Sequence, residues 1–241
     1  MSELYEFQIE RCNSERKKGR IEFSRFHLEV KASTTVLECL IKLKDESDST
    51  LSFRKSCRSG ICGSCAMNIN GVNRLACETS LISLKKKRVF LRPLPSFKVI
   101  KDLVVDMSSF FEAFELIKPY IYNSLSDSLI SQSKQSIPQR TALDGAYECI
   151  HCGACNSTCP VFRKDNLFCG PAALLKLYRY LIDSRDRGWK ERLEVLTSMD
   201  GLWKCRSVYA CTEVCPKGLN PGAVIDKLKR IILSDRLKLS V

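Results

Sequence analysis

The sequence predicts an α+β protein of two modules, a strand-rich N-terminal module followed by an all-helical C-terminal module. Three observations predict this: a length of 241 residues, apolar positions that alternate over the first hundred residues, and apolar positions at helical spacing from Thr141 onward. One domain usually runs to roughly 100 to 200 residues, so the chain has room for two. We expect domains at residues 1–105 and 141–241, joined over 106–140 by a helix and a serine-rich connector.

The N-terminal module is predicted to contain a hairpin, one helix and further short strands. Alternating apolar side chains over 4–11 and 21–31 indicate the hairpin, with the basic turn Lys17-Lys18-Gly19 between its strands. Residues 34–44 have helical spacing, with Ser33 or Thr34 as the capping residue. The later strand-like segments are 66–69, followed by the turn Asn70-Gly71, and 88–91.

The C-terminal module is predicted to be helical, and a helix and a connector lead into it. The helix covers 100–118 and ends before Pro119, and the connector over 123–139 holds six serines and one proline. The later helices are expected over 172–185, 189–198 and 223–237, each behind a proline or glycine.

Composition and charge limit the functional classes. The chain is 44% hydrophobic and 27% charged, which excludes wholesale disorder. No stretch reaches the roughly 18 uninterrupted apolar residues of a membrane span. The N-terminal residues resemble neither a signal nor a transit peptide, so we expect a cytosolic start. A net charge of +12 suggests an acidic partner subunit, anionic lipid or nucleic acid.

Cysteine is unusually frequent in this chain, and its placement is informative about function. Of the 14 cysteines, eleven fall in three tight groups, a placement poorly suited to disulfides. In a reducing compartment such groups usually bind metal. Cys12, Cys39 and Cys169 lie outside the groups and are interpreted as small buried hydrophobes or as residues without a role in metal binding. His151, within the second group, is read as a passive loop residue rather than a group that tunes a metal site.

The first group has the spacing Cys57-x4-Cys62-x2-Cys65, followed by Cys77. This matches the plant-type run that holds a 2Fe-2S cluster. Glycines at 60 and 63 suit a backbone that wraps tightly and leaves its amides free to approach a bound group. A tetrahedral zinc site is the competing interpretation.

The second and third groups form an internal repeat. Cys149-x2-Cys152-x2-Cys155-x3-Cys159-Pro160 is the bacterial ferredoxin run, whose fourth cysteine serves the other cluster of a pair. In the third group, Cys205-x5-Cys211-x3-Cys215-Pro216, the second ligand position falls on Val208, which cannot bind iron.

The repeat predicts two ligand sets. Cys149, Cys152, Cys155 and the remote Cys215 are expected to hold a 4Fe-4S cluster. Three thiolates remain for the second site, and a cubane corner without a protein ligand tends to lose its iron. We therefore expect a 3Fe-4S cluster of higher potential there, held by the three cysteines Cys159, Cys205 and Cys211. The alternative is a degenerate repeat that binds one cluster.

The sequence resembles the iron-sulfur subunit of succinate dehydrogenase and the related fumarate reductases over nearly its whole length. The segments that carry the resemblance are 56–65 (SCRSGICGSC), 75–77 (LAC), 92–95 (RPLP), 101–106 (KDLVVD), 147–150 (YECI), 170–172 (GPA), 183–186 (DSRD) and 215–221 (CPKGLNP). The resemblance implies an N-terminal β-grasp domain of plant-type ferredoxin fold and a C-terminal helical ferredoxin domain. It also implies the same three clusters, 2Fe-2S, 4Fe-4S and 3Fe-4S.

The resemblance further implies a place in respiration and the tricarboxylic acid cycle. Electrons would pass from a flavoprotein partner, which holds FAD and oxidises succinate to fumarate, through the clusters to quinone. Hydrophobic membrane-anchor subunits would hold the chain peripherally at the cytoplasmic face of a bacterial inner membrane, or at the mitochondrial matrix face. The chain itself has no dicarboxylate site and no catalytic residue.

Family quinone contacts match Pro160, Arg206 and Val208 in this sequence. Many relatives have a tryptophan pair and a histidine where this chain has Arg163-Lys164 and Arg206, so cationic donors would replace an indole and an imidazole. Resemblance favours succinate oxidation. A fumarate reductase subunit, a subunit of another flavin-linked dehydrogenase such as a thiol:fumarate reductase, and a soluble ferredoxin remain alternatives. Nucleic-acid-binding signatures are absent, which disfavours a basic zinc module.

Overall fold

The computed structural model describes residues 2–12, 22–122, 134–165 and 167–238, and the chain divides into two units. The N-terminal unit comprises Met1–Met107 together with Ile150–Thr158. The C-terminal unit comprises Ser108–Cys149 together with Cys159–Val241. The order of a sheet-rich unit followed by a helical one confirms the predicted fold class.

A five-stranded sheet and one long helix make up most of the N-terminal unit. The sheet strands are β1 (Ser2–Arg11), β2 (Glu22–Lys31), β3 (Ala66–Ile69), β4 (Val72–Leu75) and β5 (Arg88–Arg92). Their order across the sheet is β2-β1-β5-β3-β4. β1 and β5 pair in parallel, whereas β2 pairs antiparallel with β1, and β3 pairs antiparallel with both β5 and β4. This is the β-grasp arrangement that the family resemblance implies. The basic turn predicted at 17–19 lies outside the described residues.

Alternation along β1 builds the core of the N-terminal unit. Tyr5, Phe7 and Ile9 point to the same face of the sheet and are at most 3% exposed. Helix α1 (Val36–Glu46) covers that face with five buried side chains, Leu40 and Leu43 among them. Each fully buried large apolar side chain contributes roughly 1.5 to 3 kcal/mol. The core therefore holds the sheet and the helix together, and it includes Cys65 of the first cysteine group.

Helix α1 begins two residues later than the sequence indicated. Its N-terminal capping residue is Thr35, rather than Ser33 or Thr34. The Thr35 hydroxyl accepts from the Glu38 N–H at 3.2 Å, and the Glu38 carboxylate accepts from the Thr35 N–H at 2.7 Å. This reciprocal capping box satisfies two main-chain donors that the first turn leaves without partners, so it decides where the helix starts.

The helix predicted over 100–118 is wrong in its first part. A small two-stranded sheet, β6 (Val99–Lys101) with β7 (Val104–Val105), occupies that part, and helix α2 covers only Ser108–Leu116. Asp102 turns the chain between the two strands at φ 49°, in the left-handed region. Its carboxylate accepts from the Arg11 Nε at 3.0 Å and from the Ser52 N–H at 2.9 Å. These distant partners outweigh the local helical spacing.

The C-terminal unit has only helical elements among its described residues. The helices after α2 in chain order are α3 (Ile137–Thr141), α4 (Ala154–Thr158), α5 (Pro160–Lys164), α6 (Gly170–Leu181), α7 (Trp189–Thr197), α8 (Ala210–Glu213) and α9 (Pro221–Lys238). Of these, α4 belongs to the N-terminal unit. Short α3 replaces the end of the predicted connector, because Ser136 and Gln139 form a capping box. Residues 123–133 of the predicted connector lie outside the described residues.

Helix α6 is the centre of the C-terminal unit. It is buried on nearly every side and packs against α2, α7 and α9. Helix α9 contributes the buried side chains Ile225, Leu228 and Ile232, spaced three and four residues apart along one face. The three helices predicted for this half are confirmed, with ends that differ from the predicted ones by at most four residues. No helix among the described residues is both long and apolar enough to cross a membrane.

Candidate metal centres

The first cysteine group lies on the loop between α1 and β3, with Cys77 just after β4. Cys57 is exposed, Cys62 and Cys77 are half-buried, and Cys65 is buried. The Cys57 sulfur accepts three backbone N–H groups, from Ser59 at 3.4 Å, Ile61 at 3.4 Å and Cys62 at 3.2 Å. The loop therefore points its amides at a sulfur, the arrangement that stabilises a metal-bound thiolate.

The two ends of this loop favour opposite protonation states. Backbone hydrogen bonds, the one from Ser59 first, lower the pKa of Cys57 to about 6. Burial raises the pKa of Cys65 to about 12. Cys57 is thus preorganised as a thiolate, whereas Cys65 has to lose its proton when a metal binds. This all-thiol donor set, with one preformed thiolate, fits an iron-sulfur cluster.

The loop can wrap in this way because two of its residues are glycines. Gly60 and Gly63 have φ values of 69° and 71°, in the left-handed region where an L side chain is strained. An added Cβ on Gly63 would lie 2.8 Å from the Ile150 carbonyl oxygen. The glycines predicted to permit tight wrapping therefore serve the curvature of the loop and a close approach to a neighbouring segment.

The second cysteine group is divided between the units. Cys152 and Cys155 belong to the N-terminal unit, where Cys152 packs against its core and Cys155 is buried on α4. Cys149 and Cys159 belong to the C-terminal unit, as does Cys215. The chain between Cys149 and Cys159 thus passes from one unit to the other and back.

Cys159, Cys205 and Cys211 line one cavity in the C-terminal unit. Val208 lies in its wall together with Pro160 and Arg206. Most of the other lining side chains are apolar; they include Phe168, Pro171 and Ile225. The structure therefore brings together the three cysteines of the predicted 3Fe-4S site. The residue at the position of the missing ligand and the predicted quinone contacts line the same cavity.

The thiols of this cavity sit in an apolar environment. Burial raises the pKa of Cys159 above its ordinary value and raises that of Cys211 to about 11. The Cys205 sulfur accepts the Ser207 N–H at 3.4 Å. Val208 is 58% exposed and offers no donor atom to a metal. Three sulfurs with an aliphatic fourth neighbour fit a cluster that has three protein ligands.

Helix α9 holds the loop that carries Cys205, a role that sequence reasoning missed. Asp226 accepts hydrogen bonds from the hydroxyls of Ser207, at 3.0 Å, and Tyr209. Lys229 donates to the Cys205 carbonyl and to the Ser207 hydroxyl, both at 3.1 Å. The sequence feature that could have indicated this role is the i, i+3 spacing of Asp226 and Lys229 on a helix that follows the third cysteine group.

The three remaining cysteines take no part in these groups. Cys39 is fully buried in the core of the N-terminal unit, and Cys169 is 3% exposed. Burial raises the pKa of each to about 12. All fourteen cysteines lie in described residues and are free thiols. Within those residues, no three side chains of His, Cys, Asp or Glu are gathered closely enough to hold a single metal ion.

Two family models match the halves of the chain. Residues 6–112 match a model described as a 2Fe-2S iron-sulfur cluster binding domain. Residues 145–219 match one described as a 4Fe-4S dicluster domain. These matches support iron-sulfur clusters over the alternative of zinc.

Full-length relatives agree with these matches. The chain is 39% identical over 234 residues to the mitochondrial succinate dehydrogenase [ubiquinone] iron-sulfur subunit of Candida glabrata, covering 96% of this chain and 92% of that protein. A chain of the Mycobacterium smegmatis Sdh1 complex in the apo form superposes with a TM-score of 0.86 at 25% identity, covering 98% of both chains. A hypothetical protein from Helicobacter pylori shares the fold, with a TM-score of 0.57, 16% identity and coverage of 95% of this chain and 39% of that one.

Proposed function

The chain belongs to the family of succinate dehydrogenase iron-sulfur subunits, and from this premise we propose that it carries electrons from a succinate-oxidising flavoprotein to quinone. Its cofactors include 2Fe-2S and 4Fe-4S clusters, which supply one-electron redox chemistry when bound. The polypeptide contributes their ligands, their spacing and their shielding from water. This is the role of an electron-transfer subunit in an oxidoreductase complex.

The proposed ligands of the 2Fe-2S cluster are Cys57, Cys62, Cys65 and Cys77. The three N–H groups directed at the Cys57 sulfur support this assignment, since such hydrogen bonds stabilise a thiolate and tune a cluster's potential. The exposure of Cys57 also supports it, because one edge of the bound cluster would then face a partner.

The proposed ligands of the 4Fe-4S cluster are Cys149, Cys152, Cys155 and Cys215, and those of a third, 3Fe-4S cluster are Cys159, Cys205 and Cys211. The observation that best supports the 3Fe-4S assignment is the cavity that Cys159, Cys205 and Cys211 line together with Val208. A family model of a dicluster domain over 145–219 supports two clusters in this region. Valine at the fourth position leaves one corner without a thiolate, which favours three irons over four.

We propose the rim of this cavity, at Pro160, Arg206 and Val208, as the quinone site. Its mostly apolar lining suits a quinone ring, and the exposed Arg206 guanidinium can donate to a quinone carbonyl. The neighbouring Arg163 and Lys164 are also exposed, and their side chains make no ion pair among the described residues. These three cations supply donors where many relatives use tryptophan and histidine.

The proposed partners are a flavoprotein that holds FAD and hydrophobic membrane-anchor subunits. A net charge of +12 favours docking on acidic partner surfaces. In the C-terminal unit Met199 is 90% exposed and Leu167 is 72% exposed, apolar surface of the kind that partner subunits cover. We place the chain peripherally, at the cytoplasmic face of a bacterial inner membrane or the matrix face of a mitochondrion.

The proposal is tested by purifying the chain with its native partners and adding succinate. We expect a covalently or tightly bound flavin in the preparation, reduction of the cluster signals by succinate, and their reoxidation by a quinone. A purified chain without a flavoprotein would contradict the assignment and favour a soluble ferredoxin. Reduction of the clusters by thiols, which form a disulfide, and their reoxidation by fumarate but never by quinone would favour a subunit of a thiol:fumarate reductase.

A further inference from the structure

The segment Ile150–Thr158 belongs to the N-terminal unit, although the chain on both sides of it belongs to the C-terminal unit. Ile150 and Cys152 pack against the hydrophobic core of the N-terminal unit. Ala154, Asn156 and Ser157 are at most 1% exposed. Two cysteines, Cys152 and Cys155, are therefore fixed on the same compact unit as the four cysteines of the first group.

Gly63 forms the contact between the first cysteine loop and this segment. It lies between Cys62 and Cys65, and a Cβ built on it would lie 2.9 Å from both the Cα and the Cβ of Cys152. Real Cβ atoms essentially never come that close to another atom, so a side chain at 63 has to push the loop and the segment apart. The loop of one ligand group thus touches the backbone of the next ligand group directly.

Asn73 holds the segment from a second side. Its amide nitrogen donates to the Ala154 carbonyl at 3.2 Å and to the Thr158 hydroxyl at 2.7 Å, two acceptors that bracket Cys155. Asn68 donates to the Asn73 amide oxygen at 2.8 Å and so orients the side chain. Asn73 is 3% exposed, and a buried, fully oriented amide of this kind holds its partners in one geometry.

A third anchor lies at the far end of the segment. The Ser157 hydroxyl donates to the Pro95 carbonyl, and the Ser96 hydroxyl donates to the Ser157 carbonyl at 3.0 Å. The segment is thereby fixed near Cys152, around Cys155 and beyond both. Three anchors at different points leave it little freedom to move along or away from the first cysteine loop.

We propose that Gly63 and Asn73 are positioning residues that set the separation between the 2Fe-2S ligand loop and the ligands Cys152 and Cys155. Because electronic coupling decays steeply with distance, this separation governs how well electrons pass between the two ligand groups. Gly63 allows the closest backbone approach, and Asn73 prevents the segment from drifting away. The inference rests on the proposed function, since it takes Cys152 and Cys155 as ligands of the 4Fe-4S cluster.

The test measures the magnetic interaction between the two reduced clusters in the assembled complex. Low-temperature EPR records the microwave power that saturates the 2Fe-2S signal, first with that cluster alone reduced and then with both reduced by a strong reductant. A neighbouring paramagnetic cluster speeds spin relaxation by an amount that falls steeply with distance. The increase in saturating power therefore reports the separation and does not depend on turnover.

The matched pair of variants is Gly63→Ala and Gly71→Ala. Gly71 also has a left-handed φ, 88°, but an added Cβ there meets nothing within 4 Å. Both substitutions strain the backbone in the same way, and only the first forces two segments apart. In Gly63→Ala we expect the saturating power to rise less than it does in the unaltered complex when both clusters are reduced. In Gly71→Ala we expect it to rise as much as in the unaltered complex.

An unchanged increase in Gly63→Ala, with both cluster signals at full intensity, would overturn the inference. If Gly63→Ala does not assemble its clusters, Asn73→Ala decides in the same way, because it loosens the segment without adding atoms. A reduced increase in that variant supports the inference, and an unchanged one overturns it. Absence of either cluster signal from the unaltered complex contradicts the proposed function itself, and the inference with it.

Discussion

Replacing Arg192 by methionine is expected to destabilise the C-terminal unit severely. The Arg192 side chain is fully buried and pairs with Asp186, whose side chain is 3% exposed. It also donates to the main-chain carbonyls of Tyr120, at 2.7 Å, and Lys118, at 3.3 Å. One guanidinium thus joins α7 to the chain that follows α2 and to the turn that follows α6.

The size of the destabilisation follows from the negative charge of Asp186, which remains buried when Arg192 is replaced. Methionine fills much of the same volume, so the cavity cost is small. The buried Asp186 carboxylate keeps the N–H groups of Tyr122 and Gly188 but loses its counter-charge. Breaking a buried ion pair by removing one partner costs about 3 to 5 kcal/mol. At roughly 2 to 4 °C per kcal/mol for a chain of this size, the melting temperature falls by roughly 6 to 20 °C.

The assay is thermal unfolding followed by far-ultraviolet circular dichroism at one fixed scan rate, because cluster loss makes unfolding irreversible. Arg140→Met is the matched control. Arg192 lies over the Tyr122 ring, and Arg140 likewise pairs with an aspartate and lies over a tyrosine ring. The Arg140 side chain is 49% exposed, so its loss costs less than about 1 kcal/mol. Equal shifts in the two variants would refute the reasoning. Adding Asp186→Asn to Arg192→Met is expected to recover part of the loss.

Three further substitutions, two of them paired with a control variant, test the site and the fold. Val208→Cys supplies a fourth thiolate, so we expect one more iron per chain and loss of the oxidised 3Fe-4S EPR signal; persistence of that signal would contradict the alignment of the two cysteine groups. Cys77→Ala is expected to abolish the reduced 2Fe-2S signal, whereas Cys39→Ala is expected to keep it and to lower stability in chemical denaturation by only about 1 kcal/mol; retention of the signal in the first variant would disprove the ligand assignment. Thr35→Ala removes the capping hydroxyl and is expected to lower the protection of the α1 amides from hydrogen exchange by about 1 kcal/mol, with Thr34→Ala silent; similar effects of both would show that the capping box is not decisive.

Local periodicity was sufficient to predict most of the elements. Side chains in β1 alternate between core and solvent, and α6 and α9 each have a proline in the first turn, so short stretches of sequence determine their type. The β6–β7 turn was missed because Asp102 is stabilised by Arg11, 91 residues earlier in the chain. A window of neighbouring residues contains no information about such a partner.

In the candidate site, too, some features could be predicted from the sequence and others could not. Cysteine spacing and the internal repeat grouped Cys159, Cys205 and Cys211 as one predicted ligand set, and these three thiols line one cavity. The supporting contacts could not be predicted. Asn73 reaches Ala154 across 81 residues, and Arg192 lies in a helix whose sequence reads as an ordinary charged surface helix. Both depend on tertiary packing, which periodicity does not encode.

The most direct test of the three-cluster account is low-temperature EPR of the purified complex, oxidised and then reduced stepwise, with iron and zinc analysis of the same sample. The account predicts a 3Fe-4S signal in the oxidised protein, a 2Fe-2S signal on reduction, and about nine irons per chain without zinc. Two 4Fe-4S clusters with no oxidised 3Fe-4S signal would contradict the role of Val208. Zinc without any paramagnetic cluster would contradict the account as a whole.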